Sequence, residues 1–349
     1  PILDVSYGAF APLAMLGLCV VAYLFGSAIR FNMVRLDQPA KRPGLIETAE
    51  RAASAVLAFA FIISVAYYLN LFGAFGVSLT QLDDIFHARL LTTAVFVLIL
   101  VVGWTRGFSA LQLMEQVTVS IKLAIIAGLL FGLVVHFGAT FQQDSLQFKP
   151  TAVTGWAAFT FMAGLIVTVQ GFETSRYLGA AYDGPTRIRS MRLAQWLSTA
   201  IYVTYICLLT YAFDAGTLTL DETAIIDVMQ IVAPILPMLL VAAALSAQFS
   251  AAVADTSGSG GLIAEISKGK VPVKLAYSLL VGIGLLLTWT ANVFEIISYA
   301  SRAFAAYYAI QAGIAAMSAQ AQGRGGKAML FGALTLPGCA IAVFGEPVE

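Results

Sequence analysis

Ten apolar runs of roughly 20 residues constrain this chain more than any other feature of its sequence, because a helix of that length crosses a bilayer. They lie at residues 7–29, 52–77, 90–105, 109–135, 156–178, 193–213, 231–258, 273–291, 293–317 and 328–345. Hydrophobic residues make up 60% of the chain and charged residues 11%, whereas soluble domains carry about 25% charged residues. We therefore predict an all-α, polytopic membrane protein with about ten transmembrane helices, forming one domain over residues 1–349.

The basic residues predict the orientation of the chain. If the spans alternate in direction, one side receives fifteen of the 19 Lys and Arg residues, in the loops 30–51, 106–108, 176–192, 268–274 and 318–327. The other side receives Arg89 and Lys149, together with the acidic residues Asp83, Asp84, Asp221 and Glu222. By the positive-inside rule the arginine-rich loops are cytoplasmic. We expect a multi-pass protein of a bacterial cytoplasmic (inner) membrane, surrounded by lipid.

Composition also argues against several classes of function. A net charge of zero argues against nucleic-acid binding, and two histidines leave little for a metal site. We expect neither a metal nor a cofactor. The three cysteines lie in apolar spans and are interpreted as packing residues: Cys19, Cys207 and Cys339. No G-x-S-x-G, H-E-x-x-H or phosphate-binding glycine motif is present, so we do not expect an enzyme.

The fifth run differs from an ordinary spanning helix because its second half is polar. It contains Thr168, Gln170, Gly171 and Glu173. Gly171 weakens the helix interior, so backbone groups there can turn toward a ligand. In lipid such a break is tolerated only where the freed groups face protein or a water-filled cavity. The alternative is a continuous helix in which Arg176 holds Glu173 through an i,i+3 pair.

The residues from 171 to 195, GFETSRYLGAAYDGPTRIRSMRLAQ, resemble the sixth transmembrane segment and following loop of the amino acid-polyamine-organocation (APC) transporters. In that family an F-x-G-F-E-like element at a helix break precedes an acidic, Asn-Pro, Arg-rich loop. Gly171, Phe172 and Glu173 match the membrane element. The loop matches more loosely, at Gly184, Pro185, Arg187 and Arg189. The family's acidic pair is replaced by Ala180, Ala181, Tyr182 and Asp183.

The resemblance implies a LeuT-like bundle of inverted five-helix repeats and covers the chain as that fold's second through eleventh helices. Residues 156–317 would form the second repeat, 1–135 an incomplete first repeat, and 328–345 an additional helix. Two arguments suggest a missing first helix upstream of Pro1. The orientation makes the first span enter from outside, and inverted repeats place their broken helices first in each half. We also expect the family's twelfth helix to be absent after Gly345.

The same resemblance implies a substrate site near the bilayer midplane, between the broken segment and the missing helix. The amides around Gln170 and Gly171, with Thr168 nearby, would bind a carboxylate, while Glu173 would bind an amine or carry a proton. Aromatic side chains commonly line the family's cavity, and the matching candidates are Tyr67, Tyr68 and Phe172. The two tyrosines share one helix face with Ser64, a pattern equally typical of helix packing.

Five ionisable side chains lie inside apolar runs, where each must face the bundle interior and find a partner: Glu115, Lys122, Glu173, Asp255 and Arg302. Arg302 shares a polar stripe with Glu295 and Ser298 at i, i+3 and i+7 spacing. One hypothesis is that Arg302 pairs with Glu173, and another is that it binds a substrate carboxylate through two hydrogen bonds. The third is that it forms a structural bridge within the bundle. These alternatives remain open, and the resemblance assigns no role to this arginine.

Lys122 resembles the fifth-helix lysine of proton-coupled APC members, which stands where sodium-coupled relatives bind their ion. A buried lysine can lose its charge near neutral pH and so take up and release the coupled proton. The alternative is a lysine that snorkels to the cytoplasmic interface near Glu115. On the small-residue-rich seventh run, Ser250 or the pair Thr256 and Ser257 resembles a sodium ligand set, or serves helix packing. We favour proton coupling over sodium.

Together these features predict a secondary active transporter that moves an amino acid or related organic amine by alternating access. A different class, a transporter-like sensor or scaffold that binds a small ligand without moving it, would need a soluble signalling domain, and these 349 residues contain none. A channel is a third alternative, but isolated embedded charges fit a gated pocket better than a continuous polar pore.

Overall fold

A computed structural model describes residues 2–36, 44–177, 182–213 and 225–345, and within those ranges the regular structure is entirely helical. This confirms the predicted all-α fold. Asp221, Glu222, Ala180 and Ala181, named above for the predicted loops, lie outside the described residues. The α-helices are α1 (Ile2–Tyr7), α2 (Ala11–Leu36), α3 (Gly44–Val77), α4 (Ile85–Thr105), α5 (Phe108–Gln142), α6 (Gly155–Gly164), α7 (Gly184–Ala212), α8 (Ile225–Val232), α9 (Leu236–Ile266), α10 (Val273–Thr290), α11 (Val293–Ala321) and α12 (Gly325–Phe344).

Eight of the ten predicted runs coincide with helices long and apolar enough to cross a bilayer. The fifth run is not one helix but a broken segment, and the ninth forms α11, whose buried face carries several polar side chains. Helix α8 was not predicted because eight residues are too short to span a membrane. It packs on α9 and buries Ile226 and Met229, which are spaced i,i+3.

The first span is interrupted by a 3-10 turn, Gly8–Phe10, which separates α1 from α2. Gly8 has a φ of +51°, and a Cβ there would lie 2.3 Å from the carbonyl oxygen of Pro150. The turn is held against the loop that precedes the broken segment, since Ala9 N–H donates to the Lys149 carbonyl at 3.0 Å. A buried ion pair between Asp4 and Lys149 fastens the same contact.

Side-chain caps fix where several helices begin. Asp84 accepts from the N–H groups of Phe86 and His87 and starts α4. Hydrogen bonds from the backbone and side chain of His87 lower the pKa of the Asp84 carboxyl. Asp183, at the position of the family's missing acidic pair, caps α7 through the N–H of Thr186. Asp84 and Asp183 therefore have a local structural role as helix caps.

Helix packing relates the two halves of the chain. The pairs α2 with α7, α3 with α9 and α4 with α10 are in contact across the halves. Helix α3 packs on α11 as α9 packs on α5, and α2 touches α11 as α7 touches α5. If α2, α3, α4 and α5 are matched in order with α7, α9, α10 and α11, each of these contacts corresponds to itself or to another contact named here. Two related halves of a bundle produce this kind of correspondence.

The centre of the bundle lies between α3 and α11 and is filled by aromatic rings. Phe61 and Phe304 meet edge to face with centroids 6.0 Å apart, and both are fully buried. Phe25 from α2 stacks on Tyr308 at 5.3 Å. Because Tyr308 also contacts the broken segment, this core positions the candidate site.

We expect Gly73→Ala to destabilise the protein by about 1–3 kcal/mol, the usual effect of overpacking. A Cβ at Gly73 would lie 2.3 Å from both the Ala88 carbonyl oxygen and the Thr92 hydroxyl, so α3 and α4 would have to separate. Chemical unfolding of the purified protein in detergent measures the change. Gly128→Ala, in α5, is the matched control, because nothing lies within 4 Å of its Cβ. Equal stability of the two variants would contradict the close α3–α4 crossing.

Candidate functional site

The fifth run is broken as the sequence predicts. Helix α6 ends at Gly164, a 3-10 turn covers Ile166–Val169, and a second 3-10 segment runs from Phe172 to Tyr177. Gln170 and Gly171 lie between the two 3-10 segments in non-helical backbone. Gly171 has a φ of +107°, a conformation that side chains disfavour. The interpretation as one continuous helix is therefore wrong.

Protein groups satisfy the backbone freed by this break. The Ser301 hydroxyl of α11 donates to the Gly164 carbonyl at 2.8 Å, and the Thr174 hydroxyl donates to the Gly171 carbonyl at 2.8 Å. The Gly171 N–H donates to the Glu173 carboxylate, 3.1 and 3.2 Å from its two oxygens. An unpaired group in lipid would cost several kcal/mol, so these bonds allow the break to exist.

Glu173 is the central acid of the site. Its side chain is fully buried, and besides the Gly171 N–H it accepts a hydrogen bond from the Tyr308 hydroxyl at 3.0 Å. Within the described ranges no Lys, Arg or His lies at ion-pairing distance from it. A carboxyl group held by neutral donors alone is available to a cationic ligand or a proton.

Arg176 does not hold Glu173, contrary to the continuous-helix alternative. Its guanidinium instead pairs with Glu50 at the start of α3 and donates to the Gln311 side chain of α11 at 3.0 Å. Asn32 of α2 donates to the same Gln311 oxygen at 2.8 Å. We call Arg176, Glu50, Gln311 and Asn32 the arginine cluster. It ties the end of the broken segment to three helices.

Several predicted substrate residues meet at the break. The Gln170 amide donates to the Tyr68 hydroxyl, and the ring of Tyr67 lies 5.2 Å from that of Tyr68. Phe172 is buried and stacks on Tyr308 with centroids 5.5 Å apart and planes 13° from parallel. The side-chain amide oxygen of Gln170, Oε1, is buried with no hydrogen-bond partner among the described residues. An unsatisfied acceptor of this kind needs an explanation, and a ligand donor would supply one.

Thr168 lies beside this group but bonds to its own turn, donating to the Leu165 carbonyl at 2.7 Å. Its surface is exposed, so its hydroxyl adds a polar group next to the break.

Two members of the polar stripe, Arg302 and Glu295, bond to groups other than those of the break. Arg302 is exposed and donates to the Val343 carbonyl at the end of α12, at 2.7 Å. The proposed pair with Glu173 is wrong. The binding of a substrate carboxylate by Arg302, which is a separate alternative, stays a prediction. Glu295 forms a capping box with Asn292 at the start of α11. Ser298 is buried on the same helix.

The candidate coupling residues fall into two groups. Lys122 of α5 donates to the Ser250 hydroxyl of α9 at 3.1 Å, so the structure joins two residues predicted separately. Thr256 is fully buried and donates to the Ala252 carbonyl of its own helix at 2.7 Å. Ser257 lies in hydrogen-bonding reach of Tyr277 on α10. The hydrogen bond from Lys122 thus goes to Ser250 and not to the Thr256–Ser257 pair.

Sequence reasoning missed Tyr308, Glu50 and Gln311, which hold the broken segment in place. Tyr308 lies in an apolar helix and fits simple packing, while Glu50 belongs to a charged stretch interpreted as a loop. Their importance depends on contacts between residues more than 120 positions apart, such as the 126 between Glu50 and Arg176. No pattern along the chain carries that information.

A helical membrane bundle with a break of this kind defines a transporter class, and comparison with known proteins identifies its family. Residues 1–345 match a family model described as an APC superfamily transporter. An uncharacterized protein of Aquifex aeolicus (strain VF5) is 39% identical over 322 residues, which cover 90% of this chain and 78% of that protein. The chain belongs to the APC superfamily of transporters, as its resemblance in the broken segment indicates.

Proposed function

We propose that this protein is a secondary active transporter that moves amino acids or related organic amines across a bacterial inner membrane by alternating access. One observation carries the proposal. The Glu173 carboxylate is buried at a helix break with no cation of the described residues at ion-pairing distance, and it accepts a hydrogen bond from the Gly171 amide. A ligand with an amine and a carboxylate has one group for the Glu173 carboxylate and one for the Gly171 amide. The ammonium would bind Glu173, and the carboxylate would take the amide that Glu173 leaves.

The surrounding residues suit this class of ligand. The Gln170 oxygen offers an unused acceptor, and Tyr67, Tyr68 and Phe172 offer aromatic walls beside it. An ammonium group is attracted to aromatic faces as well as to carboxylates. Thr168 and Ser298 add hydroxyl groups on the broken segment and on α11. These contacts would orient the ligand while its charge is matched by Glu173.

Proton coupling is supported by Lys122 and Ser250. The lysine joins α5 to α9 by donating to the Ser250 hydroxyl, whose own hydrogen goes to the Ala247 carbonyl. A neutral amine still has two N–H groups and could keep donating to that hydroxyl. Releasing a proton therefore changes the charge between two packed helices without removing their hydrogen bond. Glu173 is the second proton-carrying candidate. A bound sodium ion would have to displace the lysine from Ser250, which disfavours the sodium alternative.

We further propose that the corresponding halves are the two repeats, residues 1–135 and 156–317, within a single transmembrane domain. Residues 328–345 would be an added helix. Rocking of one group of helices against the other would then expose the broken segment to each side in turn.

A ligand screen by thermal unfolding tests the proposal. We expect one amino acid, amine or polyamine to stabilise the purified protein, because a ligand that binds only the folded state adds about 2.7 kcal/mol at a hundredfold excess over its Kd. The stabilisation should be lost in Glu173→Gln, which keeps the side-chain shape but not the charge. Each compound is tested at mildly acidic and mildly alkaline pH.

Glu47→Gln is the matched control, because Glu47 is an exposed acid that forms a surface ion pair with Arg51 on α3. It should bind as the wild type does. Stabilisation that survives Glu173→Gln would remove Glu173 from the site, and no response to any of these compounds would overturn the substrate class. Binding without uptake in proteoliposomes would favour the sensor alternative.

A further inference from the structure

A second buried acid lies between α9 and α3. Asp255 of α9 is 4% exposed, and it is hydrogen-bonded to the fully buried hydroxyl of Ser64 on α3. These two helices pack closely along their length, so the pair lies at a contact between the two halves of the chain. The function proposed above does not use either residue.

Counting hydrogen atoms at Ser64 constrains the state of Asp255. The Ser64 hydroxyl contacts two groups, the Asp255 carboxyl and the Phe61 carbonyl at 3.0 Å. A hydroxyl has one hydrogen, and a backbone carbonyl can only accept. If the hydrogen points to Phe61, the contact with Asp255 is a hydrogen bond only when Asp255 carries the proton and donates. If the hydrogen points to Asp255, the Phe61 contact is lost and Asp255 accepts, as an ionised carboxylate does.

The groups around Asp255 favour the protonated state. Asp255 contacts Ser64 of α3, and the titratable groups whose charges interact with it are Tyr68 of α3, Glu173 of the broken segment and Glu115 of α5. All three titratable neighbours are acids or phenols. Lys122, the basic residue of α5, contacts α9 five residues earlier, at Ser250. Among the described residues no cation lies at ion-pairing distance from Asp255. A carboxylate buried under these conditions takes up a proton rather than stay charged.

We propose that Asp255 is a further proton-binding residue of the transport cycle, with Ser64 as the hydroxyl that follows its protonation state. This inference deepens the proposed function, and the role of Asp255 in transport rests on that function. When Asp255 holds the proton, its O–H donates to Ser64, and Ser64 donates to Phe61. When the proton passes to water entering the opened site, the Ser64 O–H turns and donates to the carboxylate. No bond other than the carboxyl O–H breaks.

Glu173, on the broken segment, and Asp255 are both buried acids, and their charges interact. A charge on one disfavours a charge on the other, since like charges in a buried site repel. Asp255 would therefore hold its proton while Glu173 is ionised and release it more easily when Glu173 is neutral or paired with a ligand amine. Ligand binding and proton release are thereby linked without direct contact between ligand and Asp255.

Infrared difference spectroscopy of the purified wild-type protein in lipid, between acidic and alkaline pH, tests this inference without any ligand. We expect the C=O stretch of a protonated carboxylic acid, which loses intensity as the pH rises. Asp255→Asn should abolish this band. Ser64→Ala should keep the band and shift it, because Asp255 then lacks its acceptor. Glu173→Gln should keep it and change the pH at which it disappears.

A band unchanged by Asp255→Asn would overturn the proposal, as would a spectrum without a titrating acid. If Asp255→Asn does not fold, Ser64→Ala and Asp255→Glu decide. An unshifted band in both variants would place the protonated acid elsewhere, and a shifted band in both would support Asp255. The result is independent of the ligand screen. A titrating Asp255 in a protein that binds no amine or amino acid would leave this inference standing while the substrate class fails.

Discussion

Replacing Arg176 by methionine is expected to lower the free energy of unfolding by about 3–5 kcal/mol, the usual cost of breaking a buried ion pair by removing one partner. The side chains of Arg176 and Glu50 are only 3% and 13% exposed. Without the guanidinium, the buried charge of Glu50 keeps, among the described residues, the weak contact from Gln311 at 3.4 Å. The Gln311 oxygen loses one of its two donors and keeps the one from Asn32. Chemical unfolding in detergent measures the loss.

Arg51→Met is the matched control for this experiment. Arg51 lies one residue after Glu50 and forms an ion pair with Glu47, but both side chains are about 60% exposed, at 59% and 62%. Exposed pairs of this kind contribute about 0–1 kcal/mol. The double variant Arg176→Met with Glu50→Gln should regain part of the stability, because no unpaired buried charge remains. A similar loss in Arg176→Met and Arg51→Met would contradict the buried position of the arginine cluster.

The second large effect is expected at Lys122. If it carries the coupled proton, Lys122→Ala should abolish substrate accumulation driven by a pH gradient in proteoliposomes. One pH unit is worth about 1.4 kcal/mol, or about a tenfold accumulation for one proton per substrate. Lys122→Arg distinguishes coupling from simple packing or snorkelling. It keeps the positive charge and a long side chain, but a guanidinium does not release its proton in proteins.

Gradient-driven accumulation should therefore be lost in both Lys122 variants. Recovery of the full tenfold effect by Lys122→Arg would show that only the charge or the packing matters. Ser120→Ala, at an exposed position two residues away on α5, serves as the control for expression and insertion.

The sequence predicts the fold and the break well because both depend on local chemistry. Apolar length fixes the spans, and Gly171 followed by Glu173 within such a run has few explanations other than a helix interruption. Lys122 is predicted as an ionisable residue in an apolar run, and Ser250 by its resemblance to a sodium ligand. The structure adds that the two side chains are hydrogen-bonded.

Arg302 shows where this reasoning fails. Helical periodicity places it on one face with Ser298 and Glu295, but periodicity does not say which neighbour that face meets. In the folded chain Arg302 reaches the end of α12 instead of Glu173. For Glu50 and Tyr308 the error is an omission. The sequence does not predict their roles because these depend on partners distant in the sequence. Which face of a helix meets which neighbour is decided by packing of the whole bundle.

The bond from the Gly171 amide to Glu173 makes this side chain a tethered competitor for its own binding site. A group attached two residues away acts at an effective concentration of at least about the millimolar range. A simple carboxylic acid at micromolar concentration would lose this competition. A ligand that also carries an amine engages the competitor itself and removes it from the amide in the same event. On the proposed function, this competition would disfavour plain carboxylates and favour zwitterions.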